Sequence, residues 1–262
     1  MRCLYVDLDA TLLGPNGAVT CDVDGRFTLL GLRALEACER AGVLVVAMSG
    51  RPRAMLASNV RLLGIGDYIF EAGAGFVLDG EVQWLAGDDG HARIAASGAP
   101  ALLVDHFEGH LEADPQQREA SHLMRGLVDV AEAEALLADH GHGDLRLIDN
   151  GPSYRHSQAL AQGLPSVRAY HLIDRSVSKA AAVAAHARAR GLHRDECLAV
   201  GDSREDLEVA ASVGALWLVA NAIDHDPDLR RELVRHPNAR LAEAAHGPGV
   251  YEAVVTTLAE HR

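Results

Sequence analysis

Residues 3–12 read CLYVDLDATL. Cys3 to Val6 form an apolar run too short for a free-standing helix, which predicts a buried strand ending at Asp7. Asp7 and Asp9 point the same way if the strand continues. A bend after Val6 brings both carboxylates to the C-terminal edge of the sheet, where open parallel sheets bind ligands. Outward from this strand, Thr28 to Ala41 carries Leu29, Leu32, Leu35 and Cys38 at helical spacing, with Gly42 as a stop. Val43 to Met48 is a second apolar strand entering Ser-Gly-Arg-Pro, with another helix from about Arg53. Tyr68 to Phe70 begins a third strand, and EAGAGFVLDGEVQWL at 71–85 reads as a turn and a hairpin. This alternation predicts an α/β fold with a mostly parallel sheet covered by helices on both faces.

The pattern changes between Trp84 and His171. Leu123 to His140 reads as a long helix, and Leu145 to Ile148 and Val167 to Leu172 read as strands, enough for a small α/β insertion. The earlier pattern returns with a helix over Ser178 to Arg190. A strand follows at Cys197 to Val200, then a helix at Leu207 to Ser212 and a strand at Ala215 to Val219. The expected organisation is a discontinuous core, 1–83 and 172–262, with an inserted cap domain at 84–171. Trp84 is expected to pack at the junction.

A chain of 262 residues with 48% hydrophobic content is long enough, and apolar enough, to bury a large core. The net charge of −13 disfavours nucleic acid as a partner, because no basic surplus is available to neutralise phosphates. A small anionic ligand stays admissible, since a metal and a few local cations invert the potential inside one pocket. Cys3, Cys21, Cys38 and Cys197 have no CxxC spacing and read as reduced structural thiols. The 14 histidines form no HExxH pattern, and His140 with His142 in DHGHGD reads as a polar loop. No signal peptide or transmembrane run is evident, so the cytoplasm is expected and no membrane partner. The oligomeric state, monomer or homodimer, is open.

Four segments carry chemistry. One of the carboxylates Asp7 and Asp9 can attack an electrophile while the other exchanges a proton with a leaving group and then with water. Thr11 offers a hydroxyl to orient their turn. Ser49 and Gly50, in MSGRP at 48–52, follow a strand and precede a helix, where backbone N–H groups and a hydroxyl can hold phosphate oxygens. Ser49 as a simple helix cap is the alternative, and both can hold at once. Lys179, in SVSKAAAV at 176–183, begins a helix where a cation is disfavoured, a conflict that a neighbouring carboxylate or phosphate removes. Asp202 and Asp206, in LAVGDSREDLEVA at 198–210, stand four residues apart at a strand end. They are hard oxygen donors suited to Mg²⁺, with Glu205 and Glu208 beside them.

With these segments in this order, the chain resembles the haloacid dehalogenase-like superfamily, in the branch with a large α/β cap after the third core strand. DLDATL, MSGRP, SVSKAAAV and VGDSREDLEVA match its four motifs, and EAGAG and VANA resemble two further loops. The resemblance implies a Rossmann-like core and hydrolysis of a phosphate monoester through an aspartyl-phosphate. Asp7 would be the nucleophile, Asp9 the general acid and base, and Ser49 and Lys179 the phosphoryl-binding groups. Mg²⁺ would lie between Asp7, the Asp9 main-chain carbonyl and Asp202, with Asp206 in or beside its shell. Two positions depart from the pattern: Ala10 replaces the usual glycine and Glu205 the usual asparagine. The cap is expected to select a small phosphorylated metabolite, a sugar phosphate or phosphoglycerate derivative, with Arg146, Arg155, His156 and Arg168 as candidate readers. A phosphosugar mutase and a non-catalytic metabolite-binding protein are the alternatives.

Overall fold

A computed structural model of the protein describes residues 1–153, 160 and 163–261. The chain begins with β1 (Cys3–Asp7), α1 (Leu30–Arg40), β2 (Leu44–Met48), α2 (Arg53–Leu62) and β3 (Asp67–Phe70). The hairpin of β4 (Gly75–Leu78) and β5 (Glu81–Trp84) follows. The insertion supplies α3 (Gly90–Ser97), α4 (Ala99–His106), β6 (Leu111–Ala113), β7 (His122–Gly126), α5 (Val130–Asp139), β8 (Leu145–Pro152) and β9 (Arg168–Asp174). After it come α6 (Lys179–Ala189), β10 (Cys197–Gly201), α7 (Arg204–Glu208) and β11 (Ala215–Leu218). The chain closes with α8 (Asn221–His225), α9 (Leu229–Leu233), β12 (Ala239–Leu241) and α10 (His246–Glu260).

Among the described residues the strands form two sheets. The larger has eight strands in the order β12-β11-β10-β1-β2-β3-β4-β5, parallel from β12 to β3 and antiparallel in the hairpin. β1 lies between β2 and β10, so the chain winds outward from it in both directions. The C-terminal ends of these three strands border the crevice where such sheets hold ligands. Alternation along β1 explains the two layers of core. Leu4 and Val6 face Ala34, Cys38, Val250 and Val254, while Cys3 and Tyr5 face Val183, Ala187 and Leu207. On the second side the Tyr5 hydroxyl meets His186 Nδ1 at 2.9 Å, and His186 Nε2 lies 2.9 Å from Asp67. Arg190 closes this buried network by donating to both Asp67 oxygens.

The smaller sheet runs β6-β7-β9-β8, antiparallel throughout. One face buries Leu145, Leu147, Tyr170 and Leu172 against Ile94, Leu103, Ala133 and Leu137 of its own helices. The other presents Ile148 and Ile173 to Ala72, Ala74 and Val177, which lie outside the insertion's own layer of helices. Trp84 packs at this junction, edge-on to Phe70 with ring centroids 5.1 Å apart.

The long helix expected over Leu123 to His140 is not formed. Residues 122–126 are β7, hydrogen-bonded between β6 and β9, and α5 starts only at Val130. Asp129 fixes that start, its carboxylate accepting from the N–H groups of Ala131 and Glu132. Residues 123–128 show no strand alternation, with the adjacent Leu123 and Met124 both buried, so tertiary pairing with β6 and β9 decides the strand. The helix expected at Leu207 begins earlier, at Arg204, because Ser203 and Asp206 form a capping box, and it tightens into a 3₁₀ turn at Val209–Ala211.

Candidate active site

The three central strands deliver the expected side chains to one edge. Asp7 ends β1, Ser49 follows β2, and Asp202 follows β10. Lys179, the first residue of α6, is only 4% exposed and donates to Asp7 Oδ1 and Asp206 Oδ1, both at 2.8 Å. Its unfavourable place at a helix N-terminus is thereby offset by two carboxylates. Asp206 Oδ2 accepts from the N–H groups of Asp202 and Ser203 and from the Ser203 hydroxyl, so Asp206 is a bracket for the loop after β10. Gly201 makes that possible: a Cβ there would lie 2.2 Å from Asp206 Cβ.

Oxygen donors of Asp7, Asp202 and Asp206 lie within 4.8 Å of one another. Asp7 gives one oxygen to Lys179, and Asp202 gives Oδ1 to the Thr11 hydroxyl at 2.8 Å. Among the described residues no hydrogen bond reaches the second oxygen of either, so each retains a hard donor for a cation. Burial pushes the Asp7 carboxyl well above the usual range against the pull of Lys179, and it pushes Asp202 up to about 7. Glu205 is driven to about 8, also by burial. Burial opposes the charge on Lys179, but Asp206 and Asp7 outweigh it and hold the ammonium well above its ordinary value. The buried carboxylates outnumber this one ammonium, which is the donor set and charge deficit that a divalent cation meets.

Asp9 stands apart, its side chain 56% exposed. Arg51 holds it through Nε at 2.8 Å and through Nη2, while Arg51 Nη1 donates to Asn59. Ser49 is buried, and its hydroxyl accepts from the Arg51 N–H at 3.1 Å, whereas Pro52 occupies the cap position of α2. Ala10 adopts φ 61°, the left-handed region that explains why glycine is usual there. Its carbonyl is secured by Asn221 Nδ2 at 2.8 Å and faces His246 Nδ1 at 2.9 Å. Through Asn221 these contacts give VANA a role in shaping the loop that follows β1.

Of the expected cap residues, Arg146 lies opposite Glu205, 3.6 Å from Oε1, an oxygen with no hydrogen-bond partner. The departure at Glu205 therefore faces the cap. Arg168 is paired with Asp149 through Nε at 2.5 Å, away from the carboxylate cluster. Arg155 and His156 lie outside the described residues.

Several groups went unread in the sequence. Glu71, fully buried, accepts from the N–H groups of Glu119, Ala120 and Ser121 and from the Ser121 hydroxyl. Its own N–H donates to the Arg51 carbonyl, so one residue joins the Ser49 loop to the insertion. Arg53 makes a two-pronged pair with Glu119 beside it. Arg118 is 8% exposed and donates to the Gly50 carbonyl at 2.6 Å. EAGAG was the one available signal for Glu71; Arg118 and Glu119 sit in a segment with no periodic pattern.

No family model matches the chain. A phosphoglycolate phosphatase of Methanothermobacter thermautotrophicus is 29% identical over 255 residues, 97% of each chain. Among solved structures, a Thermoplasma acidophilum protein superposes with a TM-score of 0.68 at 18% identity, covering 100% of this chain and 99% of that one. A haloacid dehalogenase-like hydrolase from B. subtilis gives 0.65 at 18% identity, covering 97% of this chain and 99% of that one. At such identity the structural likeness is one of fold.

Proposed function

We propose that this member of the haloacid dehalogenase-like superfamily, a phosphoric monoester hydrolase with a separate α/β cap, is a Mg²⁺-dependent phosphatase of a small phosphorylated metabolite. The observation that carries the reading is the buried Asp7–Lys179–Asp206 chain beside Asp202. It holds a nucleophile, an anion-binding cation and metal donors at one sheet edge. Asp7 attacks phosphorus with its second oxygen, breaking the P–O bond to the alcohol and forming an aspartyl-phosphate. Asp9 exchanges its Arg51 pair for the leaving oxygen, gives it a proton, and then takes one from the attacking water. Lys179, Ser49 and the Gly50 N–H stabilise charge on the phosphoryl oxygens. Asp7 and Asp202, with the Asp9 carbonyl and with Asp206 alongside, would hold Mg²⁺, which would supply charge neutralisation at the phosphoryl group.

The insertion expected at 84–171, whose last strand β9 runs on to Asp174, serves as the lid over the rest of the chain. Sugar phosphates and phosphorylated hydroxy acids are the substrate classes, and the name of the Methanothermobacter relative adds weight to the second. The test is phosphate release from a panel of both classes, with and without Mg²⁺, by wild type and Asp7→Asn. Metal-dependent release that falls by at least about 1,000-fold in a folded D7N supports the assignment. Normal turnover by D7N overturns it, and phosphate moved between sugar positions without release would favour a mutase.

A further inference from the structure

Among the described residues, Arg118 is a buried cation without a counter-ion. The residue is only 8% exposed, yet among the described residues no carboxylate lies within ion-pairing distance of it. The two acids whose charge reaches it, Glu71 and Asp114, are committed elsewhere. Glu71 is saturated by three amides and the Ser121 hydroxyl, and Asp114 pairs with Arg125. Arg118 Nη1 donates to Gly50 O and Nη2 to Gln116 Oε1 at 3.1 Å, both neutral acceptors, while Nε has no partner among the described residues. Enclosing a guanidinium this way disfavours its charge unless an anion arrives.

The place of this group is equally informative. Gly50 follows Ser49 by one peptide unit, about 3.8 Å between Cα atoms, and Ser49 directly follows Met48, the last residue of β2 and the partner of Asp7 in the sheet. A second polar group of the cap reaches the same point. A Cβ on Gly50 would lie 2.5 Å from Asn150 Oδ1, so the exposed Asn150 amide rests on the glycine from β8. Arg118 and Asn150 thus converge from the insertion on the loop proposed to hold phosphate.

We propose that Arg118 is the specificity-determining residue that binds a carboxylate on the substrate, and that the substrate is a phosphate monoester of a short hydroxy acid. This rests on the phosphatase reading above. A neutral sugar hydroxyl satisfies an N–H but leaves the buried charge uncompensated, whereas a carboxylate answers both. The closeness of Gly50 to Ser49 limits the spacer between phosphate and carboxylate to a few bonds.

The test compares phosphoglycolate with ethyl phosphate, which has a methyl group in place of the carboxylate, using wild type, Arg118→Gln and Arg118→Lys. Wild type should prefer phosphoglycolate. In R118Q its KM should rise roughly 10- to 100-fold, while kcat/KM for ethyl phosphate changes less than about threefold; R118K should recover part of the preference. Retained turnover of ethyl phosphate also reports that the variant is folded. Should R118Q not fold, a reduced preference in R118K decides instead. Equal losses on both esters, or no wild-type preference for the acid, overturn the assignment while leaving the phosphatase intact. Turnover of neither ester by wild type defeats the phosphatase reading alone. Calorimetric binding of phosphoglycolate, lost in R118Q, then upholds Arg118, and binding unchanged in R118Q rejects it.

Discussion

The eight-stranded sheet presents its chemistry at strand ends, whereas the four-stranded sheet presents it on a face. In the first, Asp7, Ser49 and Asp202 occupy fixed places one residue into or beyond adjacent parallel strands, and the strand pairing sets their spacing. In the second, alternate residues of β8 do the facing: Arg146 meets Glu205, Ile148 meets the junction core, and Asn150 meets Gly50. A strand end has only one or two residues to vary, which suits invariant chemistry. A face has many positions that can change without touching the ladder, which suits selection among substrates.

Removing charge at the edge should do most damage. Lys179→Met leaves Asp7 and Asp206 buried without their cation, which costs about 3–5 kcal/mol, measured by urea unfolding, together with loss of turnover. A change below about 1 kcal/mol would show that the edge is not built around the lysine.

The next test acts on the junction. Glu71→Gln weakens four hydrogen bonds to a charged acceptor and should cost about 2 kcal/mol. Because Glu71 seats the 119–121 segment, KM should rise for every ester alike, with a smaller fall in kcat. A variant with unchanged KM would separate the junction from substrate binding.

The mildest test uses acid and compares the two sheets through their buried histidines. Burial holds His171, in β9, well below its usual pKa, helped by Arg118 and Lys179. Burial also lowers His186, beneath the larger sheet, against the opposing pull of Asp67. In both cases the unfolded chain takes up a proton near pH 6.5 that the folded chain refuses. Stability is therefore full above that pH and declines as pH falls below it, by at most about 1.4 kcal/mol per pH unit for each group. His171→Asn should flatten the part of this slope that belongs to the smaller sheet, read as unfolding midpoints between pH 7 and 5. An unaltered slope would assign all of it elsewhere.

Legibility followed the same division. Strands β1, β2, β3 and β10 could be read because apolar runs that end in Asp or Ser-Gly are short, contiguous signals. Asp7, Ser49, Lys179 and Asp202 could be placed because each lies at such an end. β7 was misread, since Leu123 to His140 satisfies a helical pattern until pairing with β9 and the Asp129 cap divide it. Arg118 and Glu119 stand in a loop whose shape depends on Glu71, some fifty residues distant.

By itself the sequence determined an α/β fold, the positions of its core strands along the chain and the carboxylate and lysine donors, because local periodicity and strand-end position encode them; the order of the strands in the sheet came from the tertiary structure. The tertiary structure alone decided which acid neutralises which cation and which face of the insertion meets the catalytic edge. It also left Arg118 buried with no carboxylate paired to it among the described residues. Such pairings join residues tens to hundreds of positions apart, and no local pattern records them.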